Sequence, residues 1–341
     1  MRHKIAIMGG SGFVGRRLAR HFLERFDVKI VDVKPPPQEL KRLTTHVRCD
    51  VRNYWEVENG LDDVDLVIHT AIVQIPLINE NKSLGYEVNV IGTQNVCEAV
   101  EKNPRIKGMI LAGTWHTIGE RDLQGMIDEE FGFRPDKVES RARLYALSKM
   151  AQEAIVRYYD ERSAKIYGII RMGTVLGNDM PLETAANIFI KNGLMGEPIT
   201  PFRHSMYRPM LYVDVRDVCR AYEIYASSIL SAKRKKGESS LADIVNVYYP
   251  QPMTILDLAE AVRRLIIKCT NGKIRPKVEI LDKGIPPLFQ KDDKYKIRVN
   301  MERARTLLGL KKLRSPEESL MEIVKLELQG ISVPKRSKAC K

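Results

Sequence analysis

Short apolar runs recur along the chain with room for a helix between each pair: Ile5 to Met8, Val28 to Val31, His46 to Cys49, Asp65 to His69, Lys107 to Ala112 and Lys165 to Ile170. Runs this short, bounded by turn-forming residues, suit strands buried on both faces. Between the first two, Val14, Leu18 and Phe22 recur at fourfold spacing, which predicts a helix with one apolar stripe. Strand and helix alternating in this way predict a doubly wound parallel sheet, an α/β architecture. Ligands of such sheets bind beyond the carboxyl ends of the strands, so the residues that follow each run are the ones to inspect.

After the first run comes Gly9-Gly10-Ser11-Gly12-Phe13-Val14-Gly15, a G-x-x-G-x-x-G turn from strand into helix. Gly9 lets the chain turn, Gly12 lets the backbone approach a pyrophosphate, and Gly15 lets helix and strand pack closely, with phosphate charge at the helix N-terminus. The second run ends in Asp32, about 20 residues on, where a carboxylate can accept from both adenosine ribose hydroxyls and repel a 2′-phosphate. That favours NAD over NADP, although Lys34, ahead of Pro35-Pro36-Pro37, stands close by. A Rossmann-type dinucleotide-binding sheet is therefore expected. Asp50-Val51 after the third run suits an adenine edge, and Thr70-Ala71 after the fourth are small enough for a cofactor to lie against the backbone.

Composition narrows the partners. The 341 residues are 44% hydrophobic, ample for a packed interior, and a large domain with a smaller lobe is expected at this length. The formal charge of +13 would ordinarily suggest nucleic acid or an acidic membrane, but eight positive charges sit in Lys233-Arg234-Lys235-Lys236 and in Lys335, Arg336, Lys338 and Lys341. Both segments read as solvated and mobile, and a phosphate-rich ligand also suits a basic protein; no nucleic-acid partner is expected. Cys49, Cys97, Cys219, Cys269 and Cys340 are widely spaced, with no pairing or histidine spacing suited to zinc, so no metal is expected. Without a secretory leader pattern or an apolar run of the roughly 18 residues that span a bilayer, a cytoplasmic protein without membrane contact is expected.

Redox chemistry enters at Tyr145-Ala146-Leu147-Ser148-Lys149. Residues i and i+4 share a helix face, and a nearby ammonium lowers a phenol from its usual value of about 10, which predicts Tyr145 as an acid or base assisted by Lys149. Thr114, just past the fifth run, can hold a substrate oxygen beside that phenol while a nicotinamide exchanges hydride.

In this order the motifs resemble the extended short-chain dehydrogenases/reductases, and within them the NAD-dependent nucleotide-sugar epimerase/dehydratase family, over almost the whole chain. Gly9 to Gly15 is similar to T-G-x-x-G-x-x-G with Met8 for the threonine, Val67 to Ala71 to V-I-H-L-A, and Asn89 to Asn95 to N-x-x-G-T-x-N. Arg171 to Gly177 resembles R-x-x-N-V-Y-G, and Arg208 to Asp217 resembles R-D-F-x-Y-V-x-D, with Asn246-Val247 opening the element before the C-terminal helix. The resemblance implies Thr114, Tyr145 and Lys149 as the catalytic triad. It implies a dinucleotide held by Gly9, Gly12, Phe13, Val14, Gly15, Asp32, Asp50, Val51, Thr70, Ala71, Asn89, Tyr145, Lys149 and Met172, and a sugar nucleotide met by His116, Thr174, Arg203 and Arg208. It also implies residues 1–172 with about 208–250 as the cofactor domain, about 173–207 and 251–330 as a smaller C-terminal α/β substrate lobe, and 331–341 as a basic tail.

Departures from the pattern select the reaction. Trp115-His116 stand where dehydratases of the family carry an Asp-Glu pair, which disfavours dehydration and leaves 4-epimerisation through a keto intermediate as the simplest chemistry. His116 matches the place of that glutamate, or of an acid/base cysteine in related epimerase-reductases, so it is either an acid/base group or a shaper of the sugar pocket. Thr174 replaces an asparagine that helps hold the diphosphate, and Arg203-His204-Ser205-Met206-Tyr207 replaces a glycine-rich turn. Arg208 keeps the place of a phosphate-binding arginine, the other reading being a pair with Asp214 or Asp217. Tyr212 to Val218 also resembles reductases of the superfamily that act on alcohols and ketones, making an NAD(P)-dependent alcohol dehydrogenase or ketone reductase with net cofactor turnover the alternative. A homodimer is expected from the family, through the helix carrying Tyr145 and Lys149 and the helix following Asn89, with Met150, Ile155 and Tyr158 either at that contact or facing inward.

Overall fold

The computed structural model describes residues 2–233 and 235–332, and of Gly330, Ile331 and Ser332 the backbone only. The basic tail therefore lies almost wholly outside the described residues, as does Arg234.

Seven strands form one all-parallel sheet: β1 (Lys4–Met8), β2 (Asp27–Asp32), β3 (Thr45–Arg48), β4 (Leu66–His69), β5 (Gly108–Thr114), β6 (Ile166–Met172) and β7 (Ile244–Val247). Their order is β7-β6-β5-β4-β1-β2-β3, so the direction of winding reverses between β1 and β4. That reversal opens the crevice in which doubly wound sheets bind ligands. Each expected strand is present. The seventh, Ile244–Val247, is foreshadowed in the sequence only as an element before the C-terminal helix. Every residue of β5, β6 and β7 is buried, as strands covered on both faces require.

Helices cover both faces. α1 (Phe13–Phe22) buries Gly15, Leu18, Ala19 and Phe22 against the sheet, the stripe set by the fourfold spacing. On the other face α2 (Gly92–Lys102) packs against α3 (Ser140–Arg162), the 23-residue helix that carries Tyr145 and Lys149. Ahead of α2 the chain makes one π-helical turn, Glu87–Ile91, with Asn89 wholly buried inside it. Such turns widen a helix by one residue and often mark functional positions.

The rest of the chain adds α4 (Ala185–Leu194), α5 (Val215–Leu230), α6 (Ile255–Cys269) and α7 (Pro316–Ser332), with two-stranded pairs between them. Thr174–Leu176 runs parallel to Tyr212–Asp214, and Pro209–Met210 antiparallel to Met253–Thr254. Helix starts are chemically marked: Asp214 caps α5 by accepting from Arg216 N at 2.8 Å, and Thr254 with Asp257 forms a reciprocal capping box on α6. Among the described residues, α4, α6 and α7 share the core of the sheet. Phe189 and Ile190 of α4, Leu258 and Val262 of α6 and Leu320 and Val324 of α7 belong to one continuous apolar cluster with Ile5, Ile7 and Ile30 of the sheet.

Candidate active site

The Gly9–Gly15 turn closes over the end of β1. Gly9 has φ +76°, and a Cβ there would lie 2.6 Å from the Ala71 backbone; at Gly15 it would lie 2.3 Å from the Gly9 carbonyl oxygen. Gly12 differs, with ordinary extended torsions and one neighbour, the Gly9 carbonyl oxygen, at 3.3 Å from an added Cβ. The protein itself thus requires glycine at 9 and 15, while Gly12 faces open cleft, the shape a pyrophosphate would fill. Asp32 accepts from Ser11 N at 3.0 Å and Lys34 N at 2.9 Å, so its carboxylate clips the turn to the loop after β2. Thr70 donates to Met8 O at 2.8 Å, seating Ala71 beside Gly9. These groups fit a dinucleotide. Asp50 is more committed than the sequence suggests: Arg52 grips both of its oxygens, at 2.7 to 3.0 Å, and holds its carboxyl below the usual range. Val51 is buried.

Thr114 ends β5, and its hydroxyl accepts from His116 N at 3.3 Å, capping the turn Trp115–Ile118. Tyr145 and Lys149 project from one face of α3 toward the same strand end. Lys149 Nζ donates to Ala112 O at 2.7 Å. Asn89 buttresses the helix from behind, donating to Ser148 Oγ at 2.9 Å and Val73 O at 3.0 Å and accepting from Val73 N at 2.7 Å. Met172, at the end of β6, is buried in the core.

Electrostatics depart from the sequence reading in one respect. Burial pushes the Tyr145 phenol up to about 12, opposed by a hydrogen bond with Thr114. Lys149 is itself pulled down to about 7 by burial, the Glu153 carboxylate working against the shift. Glu153 is occupied by a bidentate pair with Arg171, at 2.6 and 3.0 Å, so little of its charge is left for the lysine. The phenol made acidic by its lysine is therefore not a property of the protein groups alone: shared helix face fixes direction, not contact.

His116 is held neutral. Burial brings its imidazole down to about 3, with Arg208 and Arg141 adding to the effect. Its ring lies edge-on to Tyr145, centroids 6.3 Å apart, and tilted on Trp115 at 4.6 Å. Trp115 is a core residue, 1% exposed, whose indole donates to Thr174 Oγ1 at 3.2 Å; it supports the site from behind rather than lining it.

The expected anion-binding arginines separate. Arg203 is exposed and paired with Asp282 at 2.7 Å. Arg208 is buried and paired with Glu139, not with Asp214 or Asp217. Asp214 is taken by Arg216 and Ser319, and Asp217 by Arg220 and Arg314 N. Glu139, Arg141 and Glu120, which join this cluster, carry no motif, and the partner of Arg208 lies 69 positions away. Nothing local in the sequence flags them.

Three further expectations concern surface and partners. Met150 faces inward, buried with Val138, Ala142 and Ala146, Ile155 is half-buried, and Tyr158 points outward under Arg162. Lys236 is not free in solvent: it donates to Ser163 O and lies 3.9 Å from Asp160. Among the described residues, no helix is long and apolar enough to cross a membrane and no three His, Cys, Asp or Glu side chains gather as a metal cage.

The sequence profile of the NAD dependent epimerase/dehydratase family matches residues 5–236. UDP-glucuronic acid decarboxylase 1 of Danio rerio is 22% identical over 331 residues, covering 95% of this chain and 72% of that protein. D-erythronate dehydrogenase of Haemophilus influenzae is 28% identical over 209 residues, 58% of this chain and 62% of that protein. Among solved structures, MoeE5 in complex with UDP-glucuronic acid and NAD superposes with a TM-score of 0.77 at 19% identity, covering 96% of this chain and 99% of that one. The Thermus thermophilus UDP-glucose 4-epimerase complex with NAD gives 0.74 at 22% identity, covering 94% and 97%. At such identities the structural likeness concerns the fold, and the family rests on the profile. With most of its length matched and the dinucleotide cleft built from its own residues, this chain is an NAD-dependent enzyme that belongs to the NAD dependent epimerase/dehydratase family.

Proposed function

We propose that the enzyme epimerises the sugar of a nucleotide-diphosphate sugar at C4. One observation carries the reading: Thr114, Tyr145 and Lys149 converge at the carboxyl end of β5, in the same crevice as the Gly9–Gly15 turn and Asp32. NAD held by that turn, Asp32, Thr70 and Ala71 supplies a site that takes up a hydride and gives it back. Residues 1–172 and about 208–250 serve the cofactor, and about 173–207 and 251–330 the sugar nucleotide.

The protein's part is proton handling and orientation. Tyr145 takes the proton of the C4 hydroxyl as the carbon is oxidised and returns it when the keto sugar, turned over, is reduced on its other face; proton and hydride balance, and the product is an isomer. Thr114 holds the same oxygen. Lys149, one turn along the same helix face, is held by the Ala112 carbonyl with its amine at the strand end to which Tyr145 points, where its charge, when protonated, favours the phenolate. His116, neutral, lacks the proton of an imidazolium acid and serves as a pocket wall and hydrogen-bond partner. We further propose a homodimer through α2 and α3, with Tyr158 at the contact.

Incubation with UDP-hexoses, followed by chromatography, is expected to give the 4-epimer with no net NADH, and Tyr145→Phe to lower turnover by about 10²-fold to 10⁴-fold. NADH accumulating in step with product would overturn the reading in favour of a dehydrogenase. That second reading is favoured by the likeness to D-erythronate dehydrogenase and by Thr174, Arg203 and Arg208 all being engaged by protein partners.

A further inference from the structure

Behind Tyr145 and Lys149 lies a buried set of polar groups in which Asn89 is only one member. Asn89 of the π-helical turn and Thr93 of α2 stand four residues apart, as do Ser148 and Gln152 on α3, so each pair shares a helix face. The two faces meet in two rungs: Asn89 Nδ2 donates to Ser148 Oγ at 2.9 Å, and Gln152 Nε2 donates to Thr93 Oγ1 at 2.7 Å. All four residues are wholly buried.

A third element reaches the same threonine oxygen. His69, the last residue of β4, has its Nε2 3.0 Å from Thr93 Oγ1. Thr93 itself donates to the Asn89 carbonyl at 2.7 Å, which uses its one proton, so the Gln152 amide and the His69 ring both donate to it. Burial, with Lys149 adding to the effect, brings the His69 imidazole down to about 3 and leaves it a single N–H to give. His69 Nδ1 and Gln152 Oε1 have no hydrogen-bond partner among the described residues, so the Thr93 hydroxyl is the polar anchor of both side chains.

Shape alone does not call for a hydroxyl at this place. Valine has the outline of threonine, but with it the Asn89 carbonyl, the Gln152 amide and the His69 N–H would each lose this bond inside the protein. What the oxygen joins is the geometry of the reaction. β4 runs on through Thr70 and Ala71 along the dinucleotide cleft, and Asn89 clamps Val73 just beyond by both its N–H and its carbonyl. α3 carries Tyr145, whose carbonyl accepts from Ser148 Oγ at 2.8 Å.

We propose that Thr93 is a positioning residue, whose hydroxyl fixes α3 against the end of β4 and so sets how far the Tyr145 phenol stands from the cofactor edge at Thr70 and Ala71. A misplacement of the order of 1 Å between reacting groups costs about 10²-fold in rate, so one buried bond can matter to turnover without touching any ligand. This rests on the hydride-transfer part of the reading above and is indifferent to which substrate is turned over.

Crystallography and kinetics of Thr93→Val, Thr93→Ser and Gln152→Met test it. In crystals of the NAD-loaded enzymes, Thr93→Val is expected to displace the Tyr145 hydroxyl by about 0.5 Å or more relative to Ala71, and Thr93→Ser to leave it in place. With the UDP-hexose that wild type isomerises, kcat of Thr93→Val is expected to fall by about 10-fold to 100-fold while KM and the calorimetric Kd for NAD stay within about threefold, and Thr93→Ser to recover most of the rate. Gln152→Met, which cuts one rung, is expected to show the same split to a smaller degree, and it carries the test if Thr93→Val does not fold. An unmoved phenol, an unchanged kcat, or a loss confined to KM or to NAD affinity overturns the assignment. If wild type isomerises no UDP-hexose, the epimerase reading fails by itself, and the position of the phenol in the crystals still decides the role of Thr93.

Discussion

Lys149 shows how burial decides the chemistry of a single group. Its pKa falls from 10.5 in an open chain to about 7 in the folded protein, because the ammonium loses water and the Ala112 carbonyl and Glu153 carboxylate offset that loss only in part. Between those two values the unfolded state binds the extra proton, so stability rises with pH across the window; the penalty is fully present below about 7 and absent above about 10.5. In the cofactor-free protein, denaturant unfolding is therefore expected to show wild type gaining on Lys149→Met by up to about 1.4 kcal/mol per pH unit in that window. A difference that stays flat with pH would show the lysine to be solvated. The sequence identifies Tyr145 and Lys149 as neighbours on a helix, and that part of the site is legible because four-residue spacing is a local property. It does not reveal that the lysine bonds a strand carbonyl, or that Arg208 meets Glu139, since both contacts depend on how distant segments are brought together.

The β1–α1 turn combines two demands on glycine that separate by position. Gly15→Ala forces a Cβ against the Gly9 carbonyl and is expected to lower stability by about 1–3 kcal/mol and to weaken NAD binding with it. Gly12→Ala meets one atom at 3.3 Å and is expected to stay within about 1 kcal/mol of wild type while losing NAD affinity, because its methyl group occupies cleft rather than core. Thermal melts with and without NAD distinguish the two; equal loss of stability would mean that Gly12 is structural as well. Elements of this kind are readable in advance because strand, turn and helix follow one another directly. β7 is harder to read: Ile244–Val247 is four residues long, and only its pairing with β6 makes it a sheet edge. The π-helical turn at Asn89 leaves no trace in the apolar pattern, since it inserts one residue where helical spacing otherwise continues.

The largest apolar cluster among the described residues runs from the sheet into α4, α6 and α7, and the sheet separates it from a second cluster under α2 and α3. Unfolding is accordingly expected as a single cooperative transition by fluorescence and by circular dichroism, with the midpoint raised by NAD; at a hundredfold excess over Kd the gain is about 2.7 kcal/mol. Two separated transitions would mean that the lobe folds on its own. The shared interior also bears on attempts to change specificity by transplanting segments between relatives. A stretch such as 173–207, proposed above to serve the sugar nucleotide, also carries, through Phe189 and Ile190, side chains that interlock with the sheet's own interior. Grafting it whole exchanges the selectivity of one protein for a misfit in another, so altered selectivity is better sought by point changes at the rim.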